Sequence, residues 1–121
     1  MKNTAQVGIL RIFISSTDQF HHQQLYEYLV FEAKKEGLAG ATVLKGIMGY
    51  GASSVIHSYK FWEVVDKVPV VVELIDDIEK IKEFYKHVGK MLETMKNGCL
   101  VTLEETNVVL YKPGEKRMFD L

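Results

Sequence analysis

The 121 residues carry 47% hydrophobic and 26% charged side chains at a formal net charge of −1, enough apolar content for one packed core and too little chain for two. That balance gives no positive field toward nucleic acid or an anionic membrane, and no apolar run approaches the roughly 20 residues of a spanning helix. The single Cys99 permits no internal disulfide, and with no leader-like pattern at its start the chain reads as one cytoplasmic domain over residues 1–121.

Val7 to Ser15 is nearly continuous apolar sequence rich in isoleucine, the pattern of a buried strand. Ser16, Thr17 and Asp18 offer side-chain oxygens to cap a helix. That helix sets Leu25, Leu29 and Ala33 on one face, and Gly37 can end it in a left-handed conformation. A second strand is expected from about Ala41 to Tyr50, with Gly46 marking a bulge or a close backbone approach. Val68 to Ile75 reads as the third strand, with Pro69 near its beginning, where a missing N–H is tolerated. Asp76 or Asp77 can cap the second helix, whose stripe is Ile78, Ile81, Tyr85, Val88, Leu92 and Met95. Asn97-Gly98 ends it, Leu100 to Tyr111 supplies the last strand, and Pro113-Gly114 opens a basic tail with Lys116 and Arg117.

Strand, helix, strand, strand, helix, strand is the order of the ferredoxin-like plait (βαββαβ), an α+β fold with both helices on one face of an antiparallel four-stranded sheet. The strands then turn a second face outward, carrying Ile9, Arg11 and Phe13 beside Val71, Glu73 and Ile75. An uncovered apolar face suits a monomer poorly, so self-association through it is expected, with Arg11 and Glu73 paired inside.

Several residues invite chemistry. Glycines flank Tyr50 in Gly49-Tyr50-Gly51 and let a backbone approach a ligand closely. His21 and His22, adjacent on a helix, would diverge by about 100° and could not share a metal. Ser53, Ser54, His57 and Asp66 allow a hydrolytic triad to be imagined, but nothing resembles a nucleophile elbow. His57 reads instead as a partner contact or polar ligand residue in a glycine-started loop, and His87 as a helix-surface residue. Tyr59, Phe61 and Trp62 read as core or interface packing, with a partner surface as the other use. Cys99 lies near Lys96 and reads as a small buried hydrophobe. Glu104-Glu105 reads as a solvated strand end.

Gly37-Leu38-Ala39-Gly40-Ala41-Thr42-Val43, followed by Gly49-Tyr50-Gly51, Ala52-Ser53-Ser54, His57 and the run from Gly98 to Glu115, resembles the domain-of-unknown-function 190 family within the PII-like signalling superfamily. The resemblance implies a homotrimer that is not an enzyme, holds an adenine nucleotide in clefts between subunits, and signals through the 52–58 loop to a target protein. By that resemblance Thr42, Gly49, Tyr50, Gly51, Gly98 and Lys112 bind the nucleotide, while Ser53, Ser54 and His57 face the partner. This sequence also departs from the PII pattern: Cys99 replaces a phosphate lysine, Leu110 an arginine, Lys112 another arginine, and Ala52-Ser53 an Arg-Gln pair. Fewer cations favour AMP or ADP over ATP, and no metal or nucleic acid is expected. The other classes are a ligand-free interaction module and a metal-handling trimer of the CutA type.

Overall fold

The computed structural model describes residues 1–2, 6–52, 57–58 and 67–115. In chain order the elements are β1 (Val7–Ser15), β2 (Gln19–Phe20), β3 (Gln23–Gln24), α1 (Leu25–Lys35), β4 (Gly40–Lys45), β5 (Met48–Gly49), β6 (His57–Ser58), β7 (Pro69–Asp77), α2 (Ile78–Thr94) and β8 (Leu100–Thr106). The main sheet has the order β4-β7-β1-β8, antiparallel at every pairing, and β2-β3 and β5-β6 form two small ribbons. With α1 and α2 this is the ferredoxin-like α+β arrangement.

Alternation along β1 and β7 decides which face is covered. Leu10, Ile12, Ile14, Val70, Val72 and Leu74 are buried against Leu25, Leu29 and Ala33 of α1 and Ile81, Phe84, Val88 and Leu92 of α2. The residues between them on β1 and β7 are only half-buried. The register sets Arg11 opposite Glu73 and Thr102, and Phe13 opposite Val71 and Leu100, so these side chains share the face that neither α1 nor α2 covers.

The first helix starts later than its expected cap. Asp18 stays in the turn after β1, where its carboxylate accepts the Ser15 N–H at 2.9 Å and its carbonyl accepts the Leu25 N–H at 2.8 Å. The β2-β3 hairpin fills the interval, and His21 and His22 form its turn at φ 49° and 65° rather than lying on a helix. The other end follows expectation. Gly37 at φ 78° donates to Lys34 O and Leu38 to Ala33 O, both at 3.0 Å, closing the helix in a Schellman motif.

Neither Asp76 nor Asp77 caps α2 through its side chain. Asp76 is fully buried and accepts the Ala39 N–H at 2.9 Å and the Asp77 N–H at 2.6 Å, tying the start of β4 to the end of β7. The buried stripe of α2 runs through Phe84 at 0% exposure, with Tyr85 only packed against the core's edge. The last strand ends at Thr106, short of the expected Tyr111, because Thr106 pairs with Val7, the first residue of β1, and the ladder has no further partner. Beyond it Val109, Leu110 and Tyr111 are exposed.

Candidate functional site

The strand directions bring the end of β1, the start of β7 and the start of β8 to one end of the sheet. Ser15 pairs with Pro69, and Phe13 with Leu100. Ser16 fastens this corner, donating its N–H to Val68 O at 2.9 Å and accepting the Val68 N–H on Oγ at 3.0 Å.

The expected long strand from Ala41 to Tyr50 breaks at Gly46. Its N–H donates to Pro69 O at 2.7 Å, and a Cβ there would stand 2.9 Å from Pro69 Cγ, so only glycine lets the chain lie this close. The chain then leaves the sheet as β5. Met48 pairs with Ser58 and Gly49 with His57, so 57–58 is the return arm of a two-stranded ribbon. Ser53, Ser54, Tyr59, Phe61, Trp62, Lys116 and Arg117 lie outside the described residues, and for His57 only the backbone is described.

This route carries Tyr50, Gly51 and Ala52 over a cleft of about 430 Å³, a size suited to a small-molecule ligand. Phe13, Pro69 and Leu100 give it an apolar wall, while Ser15, Asp18, Lys67, Lys96, Asn97 and Gly98 give it a polar one. Three of the expected site residues, Tyr50, Gly51 and Gly98, therefore line one cleft of a single chain. Gly49 adjoins it in β5. Thr42 does not line it; the residue sits on edge strand β4, opposite Glu73 on the uncovered face. Lys112 lies exposed in the segment beyond β8 and is also absent from the lining.

Lys67 and Lys96 are not among the residues the sequence reading singles out for the site. The available signal is their position: Lys96 stands two residues before Gly98 and Lys67 two before Pro69, so both stand just ahead of strands that start at the sheet end holding Tyr50. Asp18, 4% exposed, is the one acid lining the cleft among the described residues. Cys99 is half-buried behind the turn and packs against the core. Burial first, and the Asp18 charge second, push its thiol pKa up, so nearby Lys96 does not make it a ready thiolate.

On the uncovered face Arg11 donates from Nε to Glu73 at 2.7 Å and from Nη1 to Glu104 at 2.5 Å. The expected Arg11–Glu73 pair is present, and Glu104, read from sequence as a solvated end, joins it. Among the described residues no group of three or more His, Cys, Asp or Glu is placed to hold a metal, and no helix is long and apolar enough to cross a membrane.

Comparison with known proteins gives the same fold. The chain is similar to CPII from Thiomonas intermedia K12, a nitrogen regulatory PII-like protein bound to ADP, AMP and bicarbonate, at a TM-score of 0.60 and 12% identity over 84% of this chain and 93% of that one. It is similar to a PII-like signalling protein from Thermus thermophilus at a TM-score of 0.60 and 18% identity, covering 85% and 89% of the two chains. In sequence it is 41% identical to a UPF0166 protein of Aquifex aeolicus (strain VF5), over 84% of this chain and 91% of that one. A UPF0166 protein of Methanocaldococcus jannaschii is 32% identical over 83% and 89%. Residues 7–108 match the family described as Uncharacterized ACR, and the chain therefore belongs to the DUF190 family, with a PII-like fold.

Proposed function

We propose that the protein is a non-enzymatic regulator that assembles as a homotrimer through its uncovered sheet face, binds AMP or ADP in preference to ATP, and signals through residues 52–58 to a target protein. The observation that carries this reading is the cleft that gathers Tyr50, Gly51 and Gly98 between an apolar wall and two lysines. A nucleotide has the matching halves, a flat apolar base and an anionic tail. CPII, of the same fold, is bound to ADP and AMP, which supports the choice of ligand class. Ala52 lines the cleft and opens the 52–58 segment, so an occupant would touch the base of the signalling loop. Lys112 and Thr42 lie outside the cleft of their own chain and are assigned to the neighbouring copy's side of it.

Calorimetry with AMP, ADP and ATP, with and without Mg²⁺, tests the reading. AMP or ADP should bind at least as well as ATP, with little effect of Mg²⁺. A Cβ at Gly51 meets no atom within 4 Å, so Gly51→Val should fold normally while obstructing close approach of the ligand. If no adenine nucleotide binds at millimolar concentration, the ligand-free interaction module becomes the better account.

A further inference from the structure

Lys67 and Lys96 reach the cleft from two different elements. Lys67 is anchored by the Ser16–Val68 hydrogen bonds at the entry to β7, and Lys96 stands in the turn between α2 and β8. Three other lysines lie within 4.0 Å of carboxylates: Lys80 with Asp76, Lys82 with Glu79, Lys86 with Glu83. Among the described residues no carboxylate pairs with Lys67 or Lys96. The one acid among the cleft's described residues, Asp18, is buried and bonded through its carboxylate to the Ser15 N–H, so it is held as part of the turn. Two lysines thus border a cleft whose described lining residues sum to a formal charge of +1, with the Gly98 turn beside them.

From this we infer that Lys67 and Lys96 together form this chain's seat for the ligand's phosphate groups, with Lys112 assigned to the neighbouring copy's side. The inference rests on the nucleotide reading for its occupant, but the seat itself is a property of the two lysines and binds phosphoryl anions as such. Charge-assisted hydrogen bonds from ammonium to phosphate are among the stronger polar contacts, and two from separate elements also fix orientation. The base, resting on the apolar wall near Phe13 and Leu100, adds affinity without depending on either lysine.

The test is titration calorimetry of ADP, adenosine and inorganic pyrophosphate against wild type, Lys67→Gln, Lys96→Gln and Lys67→Arg, with folding checked by thermal unfolding. Each glutamine variant should weaken ADP and pyrophosphate by roughly tenfold or more while leaving adenosine unchanged, and Lys67→Arg should retain most of the ADP affinity. If ADP binds wild type and both glutamine variants alike, the phosphate seat is overturned and the nucleotide reading stands. If pyrophosphate binds in a lysine-dependent way and ADP does not bind, the seat stands and the nucleotide reading falls. If neither anion binds wild type, the seat is overturned.

Discussion

His87 lies on the outer side of α2 with Nδ1 2.9 Å from Glu36 Oε1, a contact between the second helix and the end of the first. Its pKa is raised, chiefly by that hydrogen bond and then by the Glu36 charge, with Glu83 and Glu32 adding to it. A histidine whose folded pKa is raised adds stability below its unfolded value of about 6.5, and the gain is lost as pH rises through the folded value. NMR titration should therefore place His87 above the ordinary histidine value and Glu36→Gln should bring it down; an unchanged midpoint in Glu36→Gln would show that the pairing does not operate. The residue's exposure is legible from its place beside the apolar stripe. Glu36 as partner is not, since 51 positions separate them and only the packing of α1 beside α2 brings them together. Glu104 escapes a local reading for the same reason: strand pairing, invisible in local sequence, sets it next to Arg11.

At the scale of elements, the four main strands and both helices follow from periodicity and punctuation, because each signal lies within a few residues. Leu25, Leu29 and Ala33, the Gly37 stop and a close backbone approach at Gly46 stand as read, and the structure adds that the approach is to Pro69. The misreadings fall where two local patterns compete. Ser16, Thr17 and Asp18 look like a cap, but Thr17 and Asp18 bond Ser15 in the turn after β1, Ser16 bonds Val68, and a hairpin intervenes before the helix. On α2, Phe84 and Tyr85 both continue a spacing of three or four from Ile81, and only the sheet beneath decides between them. Tyr85 keeps its ring at the edge, so close to Gly89 that a Cβ there would stand 2.7 Å from it. Phe84→Ala should accordingly cost about 3–5 kcal/mol in a denaturant unfolding experiment, and Tyr85→Ala clearly less. Equal losses would mean that the stripe is centred elsewhere. The candidate site is legible where glycines mark it, at Gly51 and Gly98; Lys67 and Lys96 stay hidden because their shared position depends on three strand ends meeting.

For the whole molecule, neither α1 nor α2 covers one sheet face, and the cleft lies at that face's border, with Phe13 and Leu100 belonging to both. Assembly and ligand binding are then expected to depend on each other. Sedimentation at micromolar concentration should show a trimer, and Phe13→Glu, which sets an unpaired charge among apolar neighbours, should dissociate or unfold it. A stable wild-type monomer would contradict the proposed assembly. The central claim, that the Tyr50–Gly51 and Gly98 segments hold an adenine nucleotide, is tested most directly by a crystal structure grown with ADP. The account predicts one ADP per chain, its phosphates at Lys67 and Lys96 and its base beside Phe13 and Leu100. An empty cleft at saturating ADP, or a nucleotide seated on the helical face, would contradict it.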